Sequence, residues 1–272
     1  MNFKKTAIIA AVAGAAVAIS SAAFAGGMPK KTAWTAYGTT SSGYAQAVAI
    51  GNMMKKHYGT NMRVIPGKND ISRMAPLRDN KAGYCACGIA AYFGQEGVFI
   101  FADKKWGPQP IRLLMTNIGS FGLSLATAKD AGVKTMADMK GKRVSWVQGA
   151  PALNWNVGAQ LAFAGLTWDD VQKVKVSGFG ASFDAIINGQ SDAAFSSTVS
   201  PSPKKLAASP RGLHWVPVPH DDAAGWKRMS AAAPVYGKVK AKIGSEIDKK
   251  NPPHLSNYPY PILVANESWD AG

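Results

Sequence analysis

Two corners of the chain join glycine and small hydroxyl residues to the start of a predicted helix. At the first, a strand-like run over residues 32–37 is followed by Ser41, Ser42 and Gly43, and then by a helix from Tyr44. Glycine lets the backbone approach a ligand closely, and the hydroxyls can cap the helix. The unpaired N–H groups and positive dipole end of such a helix favour an anion or a polar head group.

The second corner follows an apolar, β-branched run over residues 144–147. Gly149 and Pro151 end this run, and helical spacing then resumes to about residue 163. Two such corners in one chain suggest two halves that face one ligand. The alternative is that both are ordinary turns between strand and helix, with hydroxyls that serve only as caps.

The elements between these corners alternate strand and helix. We expect strands over residues 61–65, 84–89, 111–117 and 123–127, and a helix from 70 to 80 that Asn69 or Asp70 caps. This alternation is typical of a parallel α/β sheet. Tyr92 follows the carboxyl end of the third strand, so it can line the same crevice or serve as a core aromatic residue.

Cys85 and Cys87 are the two cysteines of the chain. Two residues apart on a strand, they project from one face, and a disulfide across one intervening residue would be strained. We therefore predict two free thiols, packed under a helix as small apolar groups. Export to an oxidising compartment leaves open a redox-sensitive pair.

Other catalytic and metal chemistry has little support in the sequence. The four histidines, His57, His214, His220 and His254, lack metal-ligand spacing, so we predict no metal and no cofactor. A serine hydrolase would use Ser41 or Ser42, yet the G-x-S-x-G elbow is not met because residue 39 is threonine. We therefore predict no catalytic residue and no enzyme activity.

The first 25 residues have the features of a signal peptide. Lys4 and Lys5 precede an apolar run, and Ala23-Phe-Ala25 forms a cleavage site, so we expect a soluble, exported protein. Two of the 31 basic residues lie in this leader, which leaves 29 against 16 acidic ones, a formal charge of +13. Because the basic residues are dispersed and no nucleic-acid motif is present, we expect anionic small molecules rather than nucleic acid.

Six short segments of the chain share a pattern with one known family; they are residues 41–44, 138–144, 149–154, 165–171, 189–195 and 258–264. Together they resemble the TAXI family of solute receptors for tripartite ATP-independent periplasmic (TRAP) transporters. The resemblance runs in order over nearly the whole mature chain. Each motif is weak by itself, whereas their order, together with the signal peptide, is specific.

This resemblance implies a periplasmic, monomeric α/β protein with the two-lobed type II periplasmic-binding-protein-like fold, whose ligand lies in the cleft between lobes. Lobe 1 would span residues 26–122 and lobe 2 residues 123–255, with 256–272 returning toward lobe 1. The protein would deliver a small carboxylate or amino acid, such as glutamate or 2-oxoglutarate, to TRAP membrane permease subunits.

The resemblance also implies a set of ligand contacts at both corners and at two further strand ends. These are Ser42, Gly43, Tyr44, Asn69, Asp70, Tyr92, Gly149, Ala150, Leu153, Asn154, Trp155, Ser196, Ser197 and Thr198. No arginine lies at either corner, so Arg63, Arg73 or Arg112 would reach the cleft only if the fold brings them there.

Two departures from the family pattern bear on this interpretation. Family members often have an acidic or polar residue where this chain has Ala90-Ala-Tyr92, which leaves the ligand class open. They also continue for several helical turns beyond the last strand, so we expect a C-terminal helix to be missing. A soluble ligand-binding or sensor module without a transporter remains an alternative.

Overall fold

The computed structural model of the protein describes residues 29–117 and 119–268. The predicted signal peptide, residues 1–25, lies outside these residues, as do the last four residues of the predicted return segment. Within the described part of the chain, no helix is both long and apolar enough to cross a bilayer. No group of three or more histidine, cysteine or acidic side chains in that part is placed to hold a metal ion.

Five of the described strands form the sheet of a first lobe, in the order β2-β1-β3-β12-β4. Their bounds are β1 Lys31–Tyr37, β2 Asn61–Gly67, β3 Tyr84–Ala86, β4 Ile111–Thr116 and β12 Ile262–Asn266. β1, β2 and β3 run parallel, whereas β12 is antiparallel to both β3 and β4. The expected all-parallel sheet is therefore mixed, because the chain returns from the second sheet and inserts its last strand in the opposite direction.

The remaining seven described strands form the sheet of a second lobe, in the order β10-β11-β5-β8-β6-β7, with β9 paired to β5. Their bounds are β5 Leu123–Ala128, β6 Arg143–Val147, β7 Gln172–Val176, β8 Ala193–Ser197, β9 Leu213–Trp215, β10 Gly237–Lys240 and β11 His254–Asn257. β6 is parallel to β7 and β8, and β5 is antiparallel to β8.

Seven α-helices of the described residues connect these strands. They are α1 Ser42–Tyr58, α2 Asp70–Arg78, α3 Ala90–Glu96, α4 Pro151–Phe163, α5 Phe179–Ile187, α6 Pro201–Ala207 and α7 Ala223–Ala232. Short 3₁₀ turns cover Phe99–Ala102, Lys129–Ala131, Met136–Met139 and Trp168–Asp170. α1 and α2 pack on the first sheet, while α4 packs mainly on α7.

α1 and α2 begin with side-chain caps, whereas α4 does not. Ser41 accepts a hydrogen bond from the amide of Tyr44 and starts α1, and Asn69 starts α2 with a reciprocal pair of bonds to Ser72. α4 begins at Pro151, and its N-cap residue, Ala150, supplies no side-chain hydrogen bond. Its first N–H groups therefore need partners from elsewhere in the structure.

The prediction that Cys85 and Cys87 are free thiols is wrong, although both are fully buried as expected. The structure joins them in a disulfide, with Cα atoms 5.3 Å apart. Two residues on a regular strand are separated by about 6.6 Å, which is near the upper limit for a bridge. β3 ends at Ala86, so Cys87 lies outside the regular strand, and the two Cα atoms are within bridging range.

Candidate functional site

A small cavity lies between the two lobes at the carboxyl ends of β1, β3 and β8. Its volume is about 30 Å³, room for about two water molecules. The lining combines hydroxyls, aromatic rings and one cation. Residues that line it include Tyr37, Ser42, Arg73 and Ile89 from the first lobe, Leu153, Asn156, Phe179, Ser196 and Ser197 from the second, and Tyr258 and Tyr260 from the returning chain.

A buried ion pair on α2 dominates the electrostatics of this cavity. Arg73 Nη2 donates to Asp70 Oδ1 over 2.6 Å, and both side chains are at most 1% exposed. Arg73 Nη1 donates to the carbonyl of Ala86 at 2.8 Å, and its guanidinium lies 3.6 Å from the ring centroid of Tyr37. Nε of Arg73 has no hydrogen-bond partner among the described residues. The cavity therefore contains a cation with one unused donor.

Asp70 also links the lobes. Its Oδ2 accepts the amide of Ala152 at 2.8 Å, and its Oδ1 accepts the hydroxyl of Tyr37. Because α4 has no cap of its own, the carboxylate of Asp70 serves as its N-terminal anion across the lobe boundary. The second corner thus binds an anion, and in this structure the anion comes from the protein.

The tyrosines of the cavity are held in the neutral form. Burial raises the pKa of Tyr37, Tyr258 and Tyr260, so each phenol keeps its proton and can donate a hydrogen bond. Burial alone would lower the pKa of Arg73, but its contacts with Tyr37 and Asp70 outweigh that effect and raise it. The site therefore presents neutral hydroxyls around a permanent cation.

Backbone contacts close the lobes around this cavity. The amide of Asp70 donates to Gly149 O at 3.1 Å, Asn69 Nδ2 donates to Gln148 O at 3.1 Å, and the amide of Phe179 donates to Lys68 O at 3.2 Å. Gly149 has φ +67°, and a Cβ placed there would lie 2.6 Å from Asn69 Nδ2. Only glycine meets both conditions, so the corner glycine serves the contact between lobes.

A second, larger cavity of about 810 Å³ lies along another face of α4. It is open and mainly apolar, and both lobes contribute to it. Its lining includes Phe99, Ile100, Trp146, Trp155, Gly158, Ala162 and Trp168. The rings of Trp146 and Trp168 pack edge to face, with centroids 4.8 Å apart. Among the residues that the structure describes, no charged side chain lines this groove.

The structure divides the predicted contacts between these two places. Ser42, Leu153, Ser196 and Ser197 line the small cavity, and Asn69 and Asp70 form its lobe contact. Gly149, Ala150, Asn154 and Trp155 line the large groove.

Two predicted contacts, Asn154 and Thr198, have side-chain polar groups that pair with the rest of the protein. Asn154 Oδ1 and Nδ2 pair with the amide and carbonyl of Val147, both at 3.0 Å. Thr198 Oγ1 donates to Ile243 O and accepts the amide of Gly122. These two side chains thus have structural partners.

The other predicted residues lie at or beyond the edge of the small cavity. Gly43 packs against Tyr260, whose hydroxyl would lie 3.5 Å from a Cβ at this position. Tyr44 packs against the buried cluster that contains Trp34 and Leu263. Tyr92 is 54% exposed and contacts Phe93. The structure does not bring these three to one point.

The set of expected contacts left out Arg73, which the sequence analysis named only as an arginine that the fold could bring to the cleft; the structure places it in the lining of the small cavity. Its spacing from Asp70 is i, i+3 on a predicted helix, which places both side chains on one helix face. That helix begins at the carboxyl end of a predicted strand, where the cleft is expected. The Asp-x-x-Arg spacing therefore indicated a charged pair at the cleft. Asn156, Tyr258 and Tyr260 had no comparable signal, because the tertiary fold alone brings them together.

Comparison with known proteins gives one family match and a set of structural neighbours. Residues 89–205 match the model of the "NMT1/THI5 like" family. No curated protein matched the chain.

The structural neighbours include the alkanesulfonate-binding protein SsuA from Xanthomonas axonopodis pv. citri bound to MOPS. It is 16% identical, with a TM-score of 0.52 over 72% of this chain and 63% of that one. This chain thus spans less than two thirds of the length of SsuA.

Two further neighbours are covered more fully. An ancestral arginine-binding protein bound to glutamine is 14% identical, with a TM-score of 0.52 over 89% of this chain and 86% of that one. A protein from a study of glutathione import through GshT of Streptococcus mutans is 14% identical, with a TM-score of 0.51 over 89% and 83%. At these identities the likeness shows the fold, and it confirms the two-lobed type II periplasmic-binding-protein-like fold.

Proposed function

We propose that the protein is a periplasmic solute-binding subunit that captures a small carboxylate or amino acid between its lobes. The observation that carries this proposal is Arg73, a buried cation in the cleft with Nε unpaired. Ser42 Oγ in the same cavity is also buried; the hydroxyl of Tyr260 is its polar neighbour, but no contact of Ser42 Oγ with a described residue meets hydrogen-bond geometry. A solute oxyanion can accept from both, and such charge-assisted bonds are stronger than neutral ones.

The closed lobes imply how a solute is taken up. The cavity holds about two waters, so a solute enters only when the contacts between Asp70 and Ala152 and between Phe179 and Lys68 open. The excess of basic residues attracts an anionic solute to the cleft. Closure then places the oxyanion against Arg73 and removes it from water. In the protein interior, hydrogen bonds to the oxyanion are stronger than they are in water.

The resemblance to TAXI receptors leads us to propose TRAP membrane permease subunits as the partner of a monomeric receptor. The proposed lobes are residues 26–122 and 123–255, with 256–272 returning to the first. Support for export comes from the signal-like leader. Two of the neighbours named above are a sulfonate-binding protein bound to MOPS and an arginine-binding protein bound to glutamine, so a solute with an anionic group is consistent with their ligands.

The alternatives make different predictions. A sensor module would bind the same solute without a transporter. A serine hydrolase would turn over a generic ester, but Ser41 Oγ accepts the amide of Tyr44, and among the described residues no histidine lines the small cavity. We therefore expect no product from any bound solute by mass spectrometry.

A thermal-shift screen of small carboxylates, amino acids and sulfonates tests the binding function. A ligand at a hundred times its Kd should stabilise the protein by about 2.7 kcal/mol. Uptake of the ligand by cells should then require this protein and stop with an ionophore, whereas dependence on ATP alone would contradict the TRAP assignment. If no carboxylate or amino acid shifts the melting temperature, the proposed solute class is wrong.

A further inference from the structure

The disulfide lies directly beneath the cation of the cleft. Cys85 and Cys87 flank Ala86, and the bridge closes a small ring that contains this residue. The amides of Cys87 and Gly88 both donate to Ile262 O, at 3.0 and 3.3 Å. The backbone between β3 and the cavity is therefore fixed from two sides, by a covalent ring and by β12.

The carbonyl inside this ring is the one that Arg73 contacts. Arg73 Nη1 donates to Ala86 O at 2.8 Å, and both residues are at most 1% exposed. The other terminal nitrogen, Nη2, bonds Asp70, which in turn accepts the amide of Ala152 in the second lobe. One continuous chain of contacts thus runs from the disulfide through the guanidinium to the start of α4.

We infer that the Cys85–Cys87 disulfide positions Arg73, and that reducing it loosens both the oxyanion site and the lobe contact. With the ring open, the peptide that carries Ala86 O gains rotational freedom, and Arg73 loses the fixed acceptor that sets its plane. The expected loss of solute affinity on reduction rests on the proposed function. The expected weakening of the hydrogen bond between Asp70 and Ala152 is independent of that function.

The redox step is a thiol–disulfide exchange. A dithiol reductant attacks one sulfur of the bridge, its second thiol releases the other, and two electrons and two protons pass to the protein. The products are the thiols of Cys85 and Cys87 and an intramolecular disulfide in the reductant. Because both cysteines are fully buried, the exchange requires a conformation in which the reductant can reach the bridge.

Hydrogen exchange at the amide of Ala152, followed by NMR without any solute, tests the inference. We compare the oxidised protein with Cys85→Ala/Cys87→Ala, each in the wild-type and the Arg73→Gln background. Loss of a charge-assisted bond should accelerate Ala152 exchange about tenfold or more in the double-alanine variant. In the Arg73→Gln background the same change should have less than about a twofold effect, because the connecting side chain is already gone.

The controls separate positioning from general destabilisation. Met74→Leu alters the side chain whose Sδ lies 3.0 Å from Cys87 Sγ but keeps the bridge, so Ala152 exchange should stay within about twofold of wild type. Amides of β5 report global opening and normalise the comparison. Wild-type protein reduced with a dithiol, and shown by mass to carry two alkylatable thiols, provides a second measurement that needs no variant.

The outcomes are separable. If loss of the disulfide accelerates Ala152 exchange only when Arg73 is present, the positioning role is supported. If in addition no carboxylate binds, the proposed function is wrong but the positioning role of the disulfide still holds. Equal exchange in oxidised, reduced and double-alanine protein overturns the inference. So does an acceleration that persists fully in the Arg73→Gln background, since the disulfide would then act through packing.

Discussion

Two faces of α4 border cavities, and these two cavities differ in volume, in polarity and in how open they are to solvent. One face borders a cavity of about 30 Å³ with a buried ion pair and two unpaired polar atoms. The other borders an open groove of about 810 Å³, whose lining in the described part of the chain includes three tryptophans and no charged residue. Unpaired buried polar groups are costly, so their presence is stronger evidence for a solute site than empty volume. The smaller cavity is therefore the one that we assign to the solute.

The largest expected effect is on the free energy of unfolding, and it distinguishes the buried ion pair of the cleft from a half-exposed ion pair in the second lobe. Arg73–Asp70 and Arg143–Asp192 both have Nη2–Oδ1 distances of 2.6 Å, but the Arg143 side chain is 39% exposed. Arg73→Met should lower the free energy of unfolding by about 3–5 kcal/mol, because Asp70 is left buried without its partner. Arg143→Met should cost at most about 1 kcal/mol.

Urea denaturation of both variants at one pH measures this difference. Removal of Asp70 together with Arg73 should cost less than the sum of the single changes, because no uncompensated charge remains. Equal losses for Arg73→Met and Arg143→Met would mean that burial does not set the strength of the cleft pair.

A methyl group added on the apolar face of α4, as in Gly158→Ala, should fit without a clash and should raise the free energy of unfolding. A Cβ at Gly158 would lie 3.5 Å from Trp168 Nε1, which is ordinary contact distance. Gly158→Ala should therefore stabilise the protein by about 0.5–1 kcal/mol through the lower entropy of the unfolded chain. A raised thermal midpoint with unchanged solute affinity is expected; a lowered midpoint would show that the groove is more tightly packed than the structure indicates.

The smallest effect is a pH dependence that lies outside both cavities. Burial lowers the pKa of His254, and its Nδ1 accepts the amide of His220. The unfolded chain therefore takes up this proton first, so stability is complete above about pH 6.5 and decreases as the pH falls toward the folded pKa. His214, whose pKa burial also lowers, adds to the same trend.

Denaturation at pH 7.5 and pH 5.5 measures this trend. His254→Gln should show a smaller loss of stability between the two pH values than the wild type. An equal loss in both proteins would assign the dependence to other groups.

Local patterns predicted most of the helix and strand positions. Hydrophobic periodicity and capping residues located the helix expected from residue 44, found as Ser42–Tyr58, and the strand expected over 144–147, found as Arg143–Val147. These signals depend on residues that are close in sequence, so they can be recognised without knowledge of the tertiary structure.

Contacts between distant segments could not be predicted in the same way. The direction of β12, the partner of the uncapped α4 and the meeting of Tyr258 with Arg73 in one cavity depend on how the lobes pack. The disulfide was missed because ideal strand spacing was applied to a strand that ends after three residues. Asn154 looked like a ligand contact since nothing local shows that it pairs with Val147.

Titration calorimetry of a carboxylate from the screen against variants on the two faces of α4 is the most direct test of the account. Ser42→Ala removes a hydroxyl from the small cavity and should weaken binding about ten- to a hundredfold, because a bond to a charged group contributes about 1.5–3 kcal/mol. Ala162→Leu fills the large groove and should leave affinity unchanged. Loss of binding in Ala162→Leu together with full affinity in Ser42→Ala would place the solute in the apolar groove and contradict the assignment to Arg73.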